Sequence, residues 1–171
     1  MNKKYKSFET DRLLIRPTNV SDAAFIFALL NMPKWLQYIG DRKVHTIDDA
    51  KKYIQQKMLP QLERLGYSNN TVIRKSDGEK IGTCGLYDRD GLEGIDIGFA
   101  FLPQFEKKGY AFESVSKLLE VAIHDLKITE ISAITIKENL GSQKLLTKIG
   151  MTFKEYIKIP NDDEELLLYK L

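Results

Sequence analysis

The feature that most constrains the fold is a strand, a turn and a helix that follow one another directly in the middle of the chain. The segment Ile95 to Leu102 alternates large apolar side chains with small or acidic ones, which is typical of a β-strand. A short polar turn leads to Gly109, and Tyr110 to Leu126 carries apolar residues at the intervals of an amphipathic helix. Glu130 to Lys137 is a second β-branched strand. Because a helix separates the two strands, we expect them to lie parallel in one sheet, joined by a right-handed crossover.

The rest of the chain supplies further strands and helices on both sides of this unit. Further strands are predicted at Arg12–Arg16, Thr71–Arg74, Lys80–Tyr87, Met151–Ile157 and Glu165–Tyr169. Further helices are predicted from Ser21 to about Asn31, where Pro33 ends the helix, from Thr46 to about Leu65 with a kink at Pro60, and from Asn139 to Ile149. The sequence therefore predicts an α/β (α+β) fold, with a mixed sheet of about six to seven strands, about four helices and one domain spanning residues 1–171.

Composition excludes several classes of protein. The 26 basic and 24 acidic side chains are mixed along the chain and give a net charge of +2, which argues against a nucleic-acid-binding protein. The single cysteine, Cys84, indicates a reducing compartment, and His45 and His124 are too far apart to suggest a metal site. The basic segment Met1–Ser7 lacks the apolar run of a signal peptide, and no segment has the length of a membrane span. We expect a cytoplasmic protein that uses no metal.

The first strand of the central unit has two unequal faces, because alternate side chains of a strand point to the same side. One face carries the large apolar residues Ile95, Ile97, Phe99 and Phe101. The other face carries only Asp96, Gly98 and Ala100. Such a bare surface admits a ligand or another extended backbone, but it would equally admit a packed helix, and Gly98 is also typical of a β-bulge.

The turn after this strand has the composition of a phosphate site. Lys107 and Lys108 precede Gly109, and the helix begins immediately afterwards. The first N–H groups of a helix have no partner within the helix and lie at the positive end of its dipole, which favours an anion. The same three residues are also compatible with an ordinary solvated loop. The sequence contains neither a P-loop nor a dinucleotide-binding fingerprint.

Three segments together carry a resemblance to a known family. Ile95 to Glu113 and Asn139 to Met151 resemble the two signature regions of the GNAT N-acetyltransferases. The opening segment Glu9 to Pro17 is similar to the start of the branch that includes the bacterial ribosomal-protein N-terminal acetyltransferases. The resemblance covers nearly the whole chain. It implies a GNAT-like fold and an enzyme that transfers the acetyl group of acetyl-CoA, its co-substrate, directly to a primary amine.

The resemblance also implies a set of residues that bind coenzyme A. The pantetheine would lie along Phe99, Ala100, Phe101 and Leu102, and the diphosphate on the N–H groups of Lys107, Lys108, Gly109, Tyr110 and Ala111. Asn139, which is also a favourable helix N-cap, and Ser142 would contact the pantetheine end. The sequence departs from the family pattern at Glu106, where the family usually has Gln or Arg, and at Lys107, where glycine is frequent. The repulsion between a carboxylate and phosphate puts a contact from Glu106 in doubt.

Two residues are implied as catalytic groups. Asp96 stands where relatives often carry Glu before Ile-Gly-Tyr, and it would help to remove a proton from the amine, although a surface carboxylate is the alternative. Ser142 would protonate the leaving thiolate, because the tyrosine used by many family members is replaced here by Leu145-Leu146-Thr147. Cys84 lies between glycines without a histidine placed to activate it, so we expect small core filling rather than an acyl-cysteine intermediate.

The acceptor is the least constrained part of the prediction. Trp35 and Tyr38 lie between the first two predicted helices, where relatives shape the acceptor pocket, and ordinary packing is the alternative. The N-terminal residue of a protein such as a ribosomal protein, a polyamine, an antibiotic and an amino acid all remain open as acceptors. The oligomeric state also stays open between a monomer and a homodimer. Two other functions also stay open: a catalytically silent acyl-CoA sensor, and a protein-interaction module that uses the Trp35 and Tyr38 segment.

Overall fold

A computed structural model describes residues 5–171 and places eight strands in one mixed sheet. The strands are β1 (Phe8–Glu9), β2 (Leu13–Pro17), β3 (Asn69–Arg74), β4 (Glu79–Tyr87), β5 (Ile95–Phe101), β6 (Ile131–Ile136), β7 (Thr152–Ile157) and β8 (Leu166–Lys170). Their order across the sheet is β1-β2-β3-β4-β5-β6-β8-β7. The only parallel pair within the described residues is β5 with β6.

Helices cover both faces of this sheet. They are α1 (Ala23–Leu30), α2 (Pro33–Tyr38), α3 (Ile47–Tyr53), α4 (Leu59–Leu65), α5 (Tyr110–His124) and α6 (Leu140–Lys148), and a π-helical segment (Ile54–Met58) joins α3 to α4 without a break. The main core lies between the sheet and α5, which buries Val115, Leu118 and Ala122. A second, smaller core holds α1 against α3 through residues such as Ile26 and Ala50.

The parallel pair at the centre of the sheet separates soon after it forms. Its ladder has only two paired positions, Ile95 with Ile131 and Asp96 with Ser132. Beyond them β5 continues to Phe101 and β6 to Ile136, and in the described part of the chain neither strand has a ladder partner on that side. The carboxyl ends of β5 and β6 therefore border an opening in the sheet, and α5 follows β5 at the mouth of this opening.

The predicted α/β (α+β) class and its mixed sheet are confirmed, with corrections to the number of elements. The sheet has eight strands instead of six to seven, because the two-residue β1 is paired with β2 through Phe8 and Ile15. With α3, the π-helical segment and α4 counted as one, five helical units replace the predicted four. Pro33 does end α1, but it also begins α2, because proline suits the first position of a helix. The irregularity expected at Pro60 takes the form of the π-helical turn before it.

The bare face of β5 is covered by a side chain of the neighbouring strand. A Cβ atom on Gly98 would lie 3.0 Å from the ring of Tyr87, and one on Gly85 would lie 2.5 Å from the same ring. The register of β4 with β5 is continuous through Gly98, so this glycine marks no bulge. The two glycines make room for Tyr87, whose hydroxyl donates a hydrogen bond of 2.6 Å to Oδ1 of Asn69.

Two sequence predictions concern localisation and metal binding. Among residues 5–171, no helix combines the length and the apolar character needed to cross a bilayer. The same residues contain no group of three or more His, Cys, Asp or Glu side chains placed to hold a metal ion. The prediction made for the segment Met1–Ser7 rests partly on residues 1–4, which lie outside the described part of the chain.

Candidate active site

A cavity of about 580 Å³ opens beside the separated ends of β5 and β6. Three parts of the chain form its walls: α2, the end of β5 with the turn into α5, and the first turns of α6. Eleven of the sequence-predicted site residues line it: Trp35, Tyr38, Phe99, Ala100, Phe101, Lys107, Gly109, Tyr110, Ala111, Asn139 and Ser142. The fold thus brings together residues that are more than one hundred positions apart in the sequence, as in the case of Trp35 and Ser142.

The turn at the mouth of the cavity presents a run of free backbone N–H groups. Gly109 is the N-cap of α5 with φ of 82°, and it offers no side chain to the first turn of the helix. Lys107 also has a positive φ, of 58°, so the backbone curves tightly before the helix begins. None of the N–H groups from Lys107 to Phe112 has a hydrogen-bond acceptor within residues 5–171. Such a curved row of donors at the positive end of a helix is suited to a diphosphate.

The first turn of α6 forms the opposite wall. Asn139 is the N-cap of this helix, and its Oδ1 atom accepts the N–H of Ser142 at 3.1 Å. The N-cap prediction is therefore confirmed, and the same residue also lines the cavity. Ser142 is partly buried beside it, and its hydroxyl has no hydrogen-bond partner among the described side chains and backbone groups. The serine hydroxyl is therefore available to a ligand in the cavity.

Asp96 lies deeper, at the point where β5 and β6 part. Its side chain is 3% exposed, and its Oδ2 accepts a hydrogen bond of 2.8 Å from Nε of Arg89. Burial raises the pKa of Asp96 to about 6, although Arg89 and the backbone N–H of Ile134 act in the opposite direction. A carboxylate with a pKa near neutrality suits a general base. Asp96 is absent from the residues that line the cavity, so its catalytic role stays a prediction.

The position that departs from the family pattern has a partner on α2. The Glu106 carboxylate forms an ion pair with the Nζ atom of Lys34, which lies 72 positions earlier in the chain. Both residues line the cavity, so the pair connects the α2 wall to the turn before α5. A lysine beside Glu106 reduces the repulsion that this carboxylate would otherwise exert on a phosphate.

Trp35 lies on the α2 wall and also packs against the smaller core. Its Nε1 atom is buried without a hydrogen-bond partner among the described residues. Ordinary packing and a place in the acceptor pocket were alternatives for this residue, and the structure shows it both packed and lining the cavity. Cys84, in contrast, is completely buried in the main core, where burial raises the pKa of its thiol to about 12.

Some predicted residues fall outside the cavity, and some residues of the site were not predicted. Leu102 packs against the main core, and Lys108 extends over the ring of Phe105, 5.8 Å from the ring centroid. Residues that line the cavity without having been predicted include Met32, Lys34, Ile39, Phe112, Leu140, Lys144 and Lys148. Phe112 lies in one of the two segments that resemble the family signatures, and Leu140, Lys144 and Lys148 lie in the other, but no pattern marked these individual side chains as part of the site. The residues in and next to α2 had no sequence signal at all, because a six-residue helix shows too little periodicity to reveal which of its sides lines the cavity.

Comparisons with known proteins agree with this geometry. Residues 12–152 match the family described as the acetyltransferase (GNAT) domain. The uncharacterised N-acetyltransferase YoaA of Bacillus subtilis (strain 168) is 29% identical over 143 residues, which cover 83% of this chain and 80% of that protein. A GNAT-family acetyltransferase from Bacillus anthracis, solved as a crystal structure, superposes with a TM-score of 0.79 at 25% identity, covering 97% of this chain and 98% of the other.

A further solved structure is informative about the fold. The ribosomal alpha-N-protein acetyltransferase RimL, solved in complex with coenzyme A, superposes with a TM-score of 0.82 and covers 97% of both chains. At 16% identity this likeness concerns the fold alone. The structural neighbours thus include the ribosomal-protein acetyltransferases, the branch that the segment Glu9 to Pro17 resembles.

Proposed function

Because the chain belongs to the GNAT acetyltransferase family, we propose that it binds acetyl-CoA and transfers the acetyl group directly to a primary amine. In this reaction the amine nitrogen attacks the thioester carbonyl, the C–N bond forms and the C–S bond breaks. One proton leaves the amine and one proton is taken up by the departing thiolate. The products are an N-acetylated amine and free coenzyme A. No acyl-enzyme intermediate is part of the proposal, since Cys84 is buried and its thiol is neutral.

One observation carries the proposal: the free N–H groups from Lys107 to Phe112 stand at the mouth of the opening between β5 and β6. A diphosphate suits the N–H groups, and an extended amide-containing chain suits the unpaired edges of the two strands. Coenzyme A carries both of these parts in one molecule. A phosphate ligand without an extended arm would leave the strand edges unused, so the combination favours coenzyme A over a nucleotide.

Two residues are proposed to handle the protons. Asp96 accepts the proton of the amine, directly or through water, and its pKa of about 6 leaves it ionised at neutral pH. Ser142 donates a proton to the departing thiolate from the α6 wall of the cavity. Both assignments rest on the family resemblance together with the burial of Asp96 and the free hydroxyl of Ser142.

We propose that the acceptor binds on the α2 side of the cavity, beside Trp35 and Tyr38. The likeness to RimL, whose name describes a ribosomal alpha-N-protein acetyltransferase, makes the α-amine of a protein the first acceptor to test. Small amines form the second group. The proposed reaction also fits a cytoplasmic protein, where the thiol of Cys84 would stay reduced.

The test has two stages. Titration calorimetry with coenzyme A should detect binding to the purified chain, and its absence at millimolar concentration would refute the proposal. Release of free thiol from acetyl-CoA should then rise in the presence of a suitable amine, in a panel of peptides with free N-termini and small amines. Peptides with acetylated N-termini are the matched controls. Tight binding of coenzyme A without thiol release for any amine would favour the silent sensor instead.

A further inference from the structure

The turn between β1 and β2 is hydrogen-bonded to the first turn of α5, which lies about one hundred positions further along the chain. Glu113 lies in this first helical turn. Its Oε1 atom accepts the hydroxyl of Thr10 at 2.5 Å and the backbone N–H of Arg12 at 3.0 Å. Its Oε2 atom accepts the Nε–H of Arg12 at 2.7 Å. Within residues 5–171, every hydrogen bond that the Glu113 carboxylate accepts comes from the β1–β2 turn.

The same arginine also reaches the turn with the free N–H groups. The Nη1 atom of Arg12 donates a hydrogen bond of 3.1 Å to the carbonyl oxygen of Lys108. Its guanidinium lies over the ring of Tyr110, 4.4 Å from the centroid. A Cβ atom on Gly109 would lie 3.2 Å from the Nη2 atom of Arg12. Arg12 therefore contacts Lys108 and Tyr110, and its guanidinium lies beside Gly109 between them.

These contacts matter because Glu113 stands where a phosphate ligand would be disturbed by its charge. A carboxylate in the first turn of a helix is favourable for the helix itself, but it repels an anion that binds to the same N–H groups. The guanidinium cancels this charge while its Nη1 atom fixes the direction of the Lys108 carbonyl. The backbone N–H groups after Lys108 therefore stay available to an anion, with no unpaired negative charge beside them.

We propose that Arg12 is a positioning residue of the coenzyme A site, which neutralises Glu113 and holds the turn Lys108–Tyr110 in the shape that a diphosphate requires. This inference rests on the proposed function, because it assigns a diphosphate ligand to the turn. Arg12 does not line the cavity, so it acts through the backbone of the turn and through the charge of Glu113.

The test compares coenzyme A with a ligand that lacks the diphosphate. Arg12→Met keeps the length of the side chain and removes its charge, and Arg64→Met is the matched control, since Arg64 forms a similarly exposed ion pair with Asp88 away from the cavity. By calorimetry, Arg12→Met should weaken binding of coenzyme A about twofold to fivefold, the order of effect expected for one exposed charge near a helix terminus. Arg64→Met should leave the affinity unchanged. Pantetheine should bind to the wild-type chain and to Arg12→Met equally.

A second variant separates the charge effect from a loss of structure. Glu113→Gln removes the negative charge, keeps an acceptor oxygen and leaves Arg12 unpaired beside the turn, so the affinity for coenzyme A should be equal to that of the wild type or higher. The double variant Arg12→Met/Glu113→Gln should recover part of the affinity lost by Arg12→Met alone. This experiment remains decisive if Arg12→Met fails to fold, because a Glu113→Gln protein that binds coenzyme A more weakly would contradict the proposal.

The outcomes also distinguish this inference from the proposed function. A wild-type chain that does not bind coenzyme A would refute both. If the wild-type chain binds coenzyme A and Arg12→Met binds it equally tightly, the role of Arg12 is refuted and the proposed function is not. Equal losses for pantetheine and coenzyme A in Arg12→Met would show that the arginine supports the fold of the whole cavity instead of the diphosphate turn.

Discussion

The conformation of Gly109 should contribute directly to the affinity for coenzyme A, and Gly109→Ala tests this. Gly109 has φ of 82° and ψ of −1°, a left-handed conformation that is unfavourable for alanine by about 1–2 kcal/mol. The added methyl group would meet only the Nη2 atom of Arg12, at 3.2 Å, which is the end of a flexible side chain. The effect of the substitution should therefore come from backbone strain and not from a clash.

The strain should appear mainly in ligand binding. The turn before α5 is exposed, so an alanine there can relax to another backbone conformation in the free protein. Binding of coenzyme A would restore the original conformation and would then bear most of the strain. The dissociation constant should rise by about fivefold to thirtyfold, which corresponds to about 1–2 kcal/mol. The melting temperature of the free protein should change by less than the roughly 2–8 °C expected if all of the strain acted on folding.

Gly78→Ala supplies the control. Gly78 has a similar φ of 73°, no atom within 4 Å of the position of an added Cβ, and a place in the β3–β4 turn outside the cavity. Calorimetry with coenzyme A and thermal unfolding should be measured for both variants. Gly78→Ala should bind coenzyme A as the wild type does. Equal dissociation constants for Gly109→Ala and Gly78→Ala would show that the left-handed conformation at Gly109 has no part in binding.

Three further predictions concern buried groups of the site and the core. Asp96→Asn should lower kcat by about a hundredfold or more and leave the affinity for coenzyme A unchanged. The wild-type rate should rise with pH through about 6, the pKa of Asp96. This pH dependence should be absent from the variant. Cys84→Ala should keep kcat within about twofold, and native Cys84, whose burial raises its pKa to about 12, should not react with a thiol reagent at neutral pH. Asp22→Asn should reduce the free energy of unfolding at pH 7 by about 3 kcal/mol, measured by urea denaturation, because it leaves two cations without their buried partner. Burial opposes ionisation of Asp22, but hydrogen bonds from Arg16 and Lys80 outweigh it and lower its pKa, so this stabilisation should be present above about pH 4 and should be lost as the pH falls further.

Local patterns in the sequence were sufficient for most of the elements. The predicted helix from Tyr110 to about Leu126 corresponds to α5, and the predicted strand from Ile95 to Leu102 corresponds to β5, each within two residues. These segments have strong periodicity and clear boundaries at glycine and proline. The shortest elements were missed, because β1 has two residues and α2 has six, and neither is long enough to show a pattern.

The site divides in the same way between local and non-local features. The N-cap role of Asn139 and the glycine before α5 depend on neighbouring residues, so the sequence reveals them. The partners of the charged groups do not follow from local patterns. Glu106 pairs with Lys34, Asp96 with Arg89 and Glu113 with Arg12, and two of these three pairs join elements that are far apart in the chain. The width of the opening between β5 and β6 also depends on tertiary packing, which no pattern within either strand records.

The short ladder between β5 and β6 affects how the two parts of the sheet are held together. Five strands lie on one side of the boundary between β5 and β6, and three lie on the other side. Within residues 5–171, only two paired positions of β5 and β6 join these two groups of strands along the sheet. This boundary is therefore the least paired part of the sheet, and Asp96 lies at its last paired position. An extended ligand seated between the two strand edges would act as a temporary additional strand and couple the two blocks. With such a ligand bound, the sheet would have more of its strand edges paired than in the free protein.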